Sequence, residues 1–288
     1  MTRFLTFFAA AALMTQLCVA EVTISPIFGD SMVVQRDRPV HVWGWTKPNI
    51  DVHVEMAGYD ADMKSDKTGR FDVKLDPLPA GGPHDLVIKA DETKIFKDVL
   101  VGEVWICSGQ SNMQWPVGNA NDPDLETLTA NYPNIRLISV PQVGVQEPQN
   151  SFDGKWEACT PTTAKNFSAV GYFFGRQLHQ TLDVPIGLID NAWGGSAAEA
   201  WVNREVLEEA GQYDELLEKW DTMAQTYDHE AAMENHRKRV ANWEKNKKGN
   251  RPRPPRNQLT GNHRRLTLII FGNKMTIIPS LQATQSVA

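Results

Sequence analysis

Ser111 stands in the stretch Gly109-Gln110-Ser111-Asn112-Met113, directly after the apolar run Val104–Ile106. A serine among small and polar residues at the carboxyl end of a strand is where an α/β sheet presents a nucleophile. The turn exposes Oγ, and the Ser111 N–H can face a developing oxyanion. A second stretch, Asn191-Ala192-Trp193-Gly194-Gly195-Ser196, follows the apolar run Pro185–Asp190 and so also falls at a strand end. Paired glycines let a backbone N–H approach a substrate oxygen closely. Gly194 and Gly195 are therefore candidate oxyanion donors beside the Ser111 N–H, and the flanking Gln110, Asn112 and Trp193 are candidate substrate contacts. Such a set can direct a hydroxyl onto an ester carbonyl. Taken singly, each stretch fits an ordinary tight turn equally well.

The elements that must position these residues fall into two grammars. From Val22 to about Val101, apolar residues alternate with polar ones, as in Val52, Val54 and Met56 against Asp51, His53 and Glu55. Turn signals recur at Gly29-Asp30, Lys47-Pro48-Asn49, Lys67-Thr68-Gly69 and Ala80-Gly81-Gly82-Pro83. Short strands with regular turns predict a small β-sandwich over residues 21–100. Asp51 and His53 share a strand face there and read as a solvated pair. After Leu100 the runs lengthen. Val101–Cys107, Ile135–Val140 and Pro185–Asp190 read as buried strands, and Ala169–Leu182 has helical spacing with Tyr172, Phe173 and Leu178 toward the sheet. His179 on that helix reads as a boundary residue. Alternating strands and helices predict an α/β layer with a parallel sheet over 101–204. Residues 205–257 read as a charged helical insertion running into the Pro/Arg-rich segment Arg251–Arg256. Its basic residues, without interleaved aromatics, describe a solvated loop.

Taken together, the motifs resemble the sialate O-acetylesterase family, within the SGNH-type serine carbohydrate esterases. The matching stretches are VGEVWICSGQSNMQWP (101–116), FSAVGYFFGRQLH (167–179) and VPIGLIDNAWGGSAAEAW (184–201). SMVVQRDRPVHVWGW (31–45) is similar to the family's N-terminal β-domain, and the likeness covers roughly residues 22–262. The resemblance implies an α/β SGNH-hydrolase-like, flavodoxin-like three-layer domain preceded by a small β-sandwich. It also implies hydrolysis of O-acetyl esters on a carbohydrate, typically sialic acid, without metal or other cofactor. Ser111 matches the nucleophile, and Gly194 or Gly195 the glycine donor of the oxyanion hole.

The same resemblance leaves expected parts unmatched. The family continues with a Gly-Glu-Ser-Asn-like block that supplies an oxyanion-hole asparagine, and with an Asp-x-x-His that supplies the base. A serine hydroxyl without a base is a poor nucleophile near neutral pH. The chain has 7 histidines, and the residues three places before them are Arg38, Ile50, Gly81, Arg176, Thr226, Met233 and Thr260. None is acidic. The last acid in the sequence is Glu244, and where the family commonly continues His-Arg-Pro-Ala-Asn-Leu this chain reads His263-Arg264-Arg265-Leu266-Thr267-Leu268. Loss of one base from codons for Arg-Pro-Ala-Asn-Leu yields that reading. Residues 258–288 are accordingly read as an aberrant tail, frameshifted from about Arg265, and the α/β domain as incomplete. A natural short form with a divergent tail is the alternative. In either case, Leu266–Ile270 and Met275–Ile278 are apolar runs prone to aggregation.

Composition bounds these readings. The chain has 288 residues, 41% of them apolar and 22% charged, which is globular rather than disordered or polytopic. A formal charge of -6 gives no electrostatic footprint for nucleic acid. Arg3, the apolar run Phe4–Met14 and the small residues ending at Ala20 have the layout of a cleavable secretory signal, too short in its apolar part to anchor the chain across a bilayer. Export to the periplasm or medium follows. Cys107 and Cys159 could then pair, or remain buried thiols; the sequence favours neither. A second functional reading is a noncatalytic secreted glycan-binding protein, supported by 9 tryptophans, among them Trp115, Trp193 and Trp201 near the two site stretches.

Overall fold

The computed structural model describes residues 22–143, 149–202 and 204–245. The expected signal segment 1–20, the Arg251–Arg256 segment and the tail 258–288 lie outside the described residues. In chain order the strands are β1 (Thr23–Ile24), β2 (Val33–Gln35), β3 (Val40–Trp45), β4 (Asp51–Met56), β5 (Tyr59–Lys64), β6 (Arg70–Leu75), β7 (Gly81–Lys89) and β8 (Thr93–Gly109). Helices α1 (Ser111–Gln114) and α2 (Pro123–Thr129) follow, then β9 (Tyr132–Ser139), β10 (Glu157–Cys159), α3 (Pro161–Ala164), α4 (Ala169–Leu182) and β11 (Ile186–Ala192). Three further helices, α5 (Arg204–Ala210), α6 (Asp214–Thr226) and α7 (His229–Lys245), occupy the charged stretch.

The period-two pattern of the N-terminal part places Val52, Val54 and Met56 of β4 inward, with Phe71, Val73 and Leu75 of β6 and Leu86 and Ile88 of β7. One sheet is β1-β3-β6; the other continues through β5-β4-β7-β8. β8 then does something that its composition does not announce. It runs antiparallel to β7 up to Val101 and parallel to β11 from Glu103 to Gly109, with β2 alongside Leu100–Gly102. The strand therefore crosses the 100/101 position where the sequence divides, and one sheet of order β10-β9-β11-β8-β7-β4-β5 spans both parts.

Burial follows the same continuity. Val104, Ile138, Trp156 and Ile189 of the α/β part join the core of the N-terminal strands. The buried Trp156 indole donates to the Ile27 carbonyl at 2.8 Å. Arg136, only 5% exposed, meets Asp98 through two hydrogen bonds of 2.6 and 3.1 Å and also donates to the Ser31 carbonyl. The bonds from Arg136 and Ser31 hold the Asp98 carboxyl below the usual aspartate range.

On the other face of the parallel strands β9, β11 and β8, a second core collects Ile135, Leu137, Ile186 and Leu188 beneath α4. Tyr172 is fully buried, while Phe173 and Leu178 pack against its margin. Ser168 caps α4 by accepting the Gly171 N–H at 3.0 Å, and Asp183 ends it in the left-handed region. Cys107 and Cys159 both lie in this core as free thiols, so no disulfide joins them. Burial pushes their pKa values up to about 12 and about 11. This arrangement is an SGNH-like α/β fold preceded by a unit of largely antiparallel strands.

Candidate active site

Ser111 emerges where β8 ends. Gly109 has φ +138, and Gln110 leads into α1, so Ser111 is the first residue of a single helical turn at the strand's carboxyl end. Its side chain is exposed. Parallel pairing sets Ala192 of β11 opposite Gly109, which brings the Trp193–Gly195 turn beside Ser111. The Trp193 N–H donates to the Gly109 carbonyl at 2.8 Å and fixes the two strand ends together.

Gly194 sits so close to the helical turn that a Cβ there would lie 2.4 Å from Gln114 Oε1 and 3.4 Å from Ser111 Oγ. Its N–H is engaged, donating to Gln114 Oε1 at 2.7 Å. Gly195 is different: it is exposed, has φ +82 and lines the cleft, and its N–H has no acceptor among the described residues. The Ser111 N–H likewise has none. Of the two glycines, Gly195 is thus the one with a donor open to a substrate oxygen, and Gly194 ties its turn to α1 through Gln114.

These groups line an open cleft of about 900 Å³ with Ser111, Gln114, Trp115, Asn119, Ser139, Gln142, Asn166 and Asp190 on its walls. Gln110 and Asn112, though exposed, are not on those walls, and Trp193 is 6% exposed, packed under the turn rather than facing the cleft. Trp201 is also away from it, its indole donating to Ser196 Oγ at 2.8 Å and bracing the turn from behind. Gln114, Asn119, Gln142, Asn166 and Asp190 are cleft residues that the sequence reading did not single out. A signal existed for Gln114 alone, since three residues after Ser111 on a helical turn is the same face.

Asp190, at the end of β11, is half-buried, and desolvation raises its pKa to about 6 even though the Ala192 and Ser168 backbones hydrogen-bond to it. No histidine among the described residues lines the cleft. His179 bonds the Val184 carbonyl at the far end of α4. Among the described residues, His53, Asp60 and Asp62 bring potential metal-ligand atoms within 4.8 Å of one another on the exposed β4–β5 face. There the His53 ring nitrogens already face Asp62 at 2.8 Å and Glu55 at 3.3 Å, which raises its pKa and favours the protonated ring, a form that cannot ligate.

An exposed serine at a strand end, beside backbone donors from the neighbouring parallel strand, is the arrangement that serine esterases of the α/β class use. Comparison with known proteins makes this narrower: residues 101–234 match the family described as carbohydrate esterase, sialic acid-specific acetylesterase. The sialate O-acetylesterase of Mus musculus is 34% identical over 203 residues, covering 62% of this chain and 37% of the relative. That of Homo sapiens is also 34% identical, with 63% and 39% covered. The chain thus spans less than two fifths of the length of these curated relatives. A crystal structure of a carbohydrate acetylesterase from Xanthomonas citri superposes with a TM-score of 0.63 at 40% identity, covering 67% of this chain and 44% of that one.

Proposed function

We propose that this chain carries the nucleophile of an exported carbohydrate O-acetylesterase, acting on O-acetylated sugars of the sialate type. Ser111 is the nucleophile, attacking the acetyl carbonyl, and the Ser111 and Gly195 N–H groups receive the charge that develops on its oxygen. The observation that carries this reading is the convergence of exposed Ser111 and the open Gly195 donor on one cleft, within the residues that match the esterase family. Attack requires the Ser111 proton to leave as the bond to carbon forms. No described residue of the cleft is a histidine, and no histidine of the sequence follows an aspartate by three places. The polypeptide by itself is therefore expected to turn over acetyl esters slowly.

Supplying a base from solution tests both parts. Acetate release from a mono-O-acetylated sugar is followed with increasing imidazole, for the unaltered chain and for Ser111→Ala. The expected result is a low rate that imidazole raises more in the unaltered chain than in Ser111→Ala. Equal responses would remove Ser111 as nucleophile. Fast release without imidazole, lost in Ser111→Ala, would show that the chain already holds its base. Sugar binding with no Ser111-dependent release at any imidazole concentration would favour a noncatalytic glycan-binding protein.

A further inference from the structure

Trp115 is 54% exposed, an unusual position for the side chain with the most apolar surface to hide. It lies four residues after Ser111 on the wall of the same cleft. Its placement is fixed rather than loose. The indole N–H donates to the Asn119 carbonyl at 2.8 Å, closing a loop through the short 3₁₀ turn Val117–Asn119. The Trp115 carbonyl accepts from the Ala169 N–H at 2.8 Å, and Val117 and Gly118 donate to Phe167 and Lys165. The polar edge of the ring is thus satisfied within the protein while a large part of its surface stays open.

Around that surface the cleft offers amides. Asn119 and Asn166 are exposed on its walls, and their side chains make no hydrogen bond among the described residues. Gln142 lines the same cleft, one amide hydrogen already given to the Ala192 carbonyl at 3.0 Å. One apolar platform and several amides in a single cleft match a pyranose, which has a C–H face and a rim of hydroxyls. An apolar peptide or helix laid on the platform would bury those amides unpaired, at a cost of about 1–3 kcal/mol each.

We propose that Trp115 is the sugar-stacking platform of the cleft, holding the pyranose ring of the ester substrate by its C–H face while Asn119 and Asn166 take its hydroxyls. The proposal rests on the reading of the cleft as a carbohydrate esterase site, but it concerns binding and is read without ester chemistry. Preorganisation helps, because a ring already held in place loses little freedom when the sugar docks.

The test is ligand-observed saturation-transfer NMR and titration of the full chain with methyl glucopyranoside and N-acetylneuraminic acid, neither carrying an ester. The expected result is saturation concentrated on ring C–H protons of at least one sugar, binding about tenfold weaker in Trp115→Ala, and within about threefold of the original in Trp115→Tyr. Both variants lose the indole bond to the Asn119 carbonyl, so a similar small drop in unfolding temperature is expected in each, and the contrast in binding between them separates lost binding from lost fold. Equal binding by Trp115→Ala, or no binding of either sugar by the unaltered chain, overturns the platform. The acetate-release assay answers separately: imidazole-stimulated, Ser111-dependent release with Trp115-independent binding would leave the esterase reading standing and remove only this inference.

Discussion

At Asp190 a carboxyl is held among strand ends where water is scarce, and its raised pKa has a thermodynamic consequence. The folded protein keeps this proton up to about pH 6, whereas the unfolded chain releases it near the ordinary value of 3.8. Ionisation therefore costs the folded state, and stability falls as pH rises from about 4 to about 6, then stays level. Asp190→Asn removes the titration while keeping a carbonyl for the Ala192 and Ser168 backbones. The variant should match the original below about pH 4 and exceed it by about 2 kcal/mol above pH 7, a figure reduced from the full shift for partial solvation. Urea titrations at the two pH values measure it. A loss confined to the higher pH would mean that the charged carboxylate is a net stabiliser of the turn. Beside it, Gly194 and Gly195 divide between them what the sequence leaves to either: the Gly194 N–H braces the turn through Gln114, and the Gly195 N–H stays open to the cleft.

The elements show why some of this was legible and some was not. α4 was readable to its ends, because its helical spacing is bounded by Ser168, a good cap, and Asp183 before Val184-Pro185. Ser168 also meets Met113 of α1, with Oγ 3.4 Å from Sδ, and pairs through its backbone with Pro116. Ser168→Ala should therefore lose about 1 kcal/mol of stability by thermal or urea unfolding, the ordinary value of a cap. A loss near zero would show that the tertiary contacts hold the first turn unaided. β8 was not readable as one strand. Its composition changes near residue 100 because it changes partners there, from a hairpin neighbour to a buried parallel one, and period-two patterning gives way to a continuous apolar run. The cleft walls were opaque for a related reason. Asn119, Gln142, Asn166 and Asp190 come from four separate segments, and only the folded sheet brings them together. Trp193 misleads in sequence, since its place beside the glycines puts it under the turn, not before the substrate.

Across the whole molecule, the N-terminal strands and the α/β layer are held by buried polar bonds as well as by a common core. Arg136 on β9 reaches Asp98 on β8 and the Ser31 carbonyl, a set of charge-assisted bonds with the guanidinium almost wholly out of solvent. Arg136→Ala should cost about 2 kcal/mol, read as a lower urea midpoint, because it leaves the Ser31 carbonyl and Asp98 short of a donor. A second transition appearing in the unfolding curve would show that the two parts had come apart rather than weakened together.

The 17 residues of β8 give this molecule a spine and not a hinge. The same peptide backbone that closes the N-terminal strands delivers Ser111 to the cleft, running on past the two register shifts that its ladder with β7 makes on either side of His84. Evolution or an engineer could exchange the loops of either part freely, but could not separate the parts at the seam suggested by composition. A chain begun at Val101 would start in mid-strand, with Val104 and Ile189 stripped of the core that covers them. The N-terminal unit is in this sense part of the scaffold of the cleft, and substitutions in its strands should be felt at Ser111.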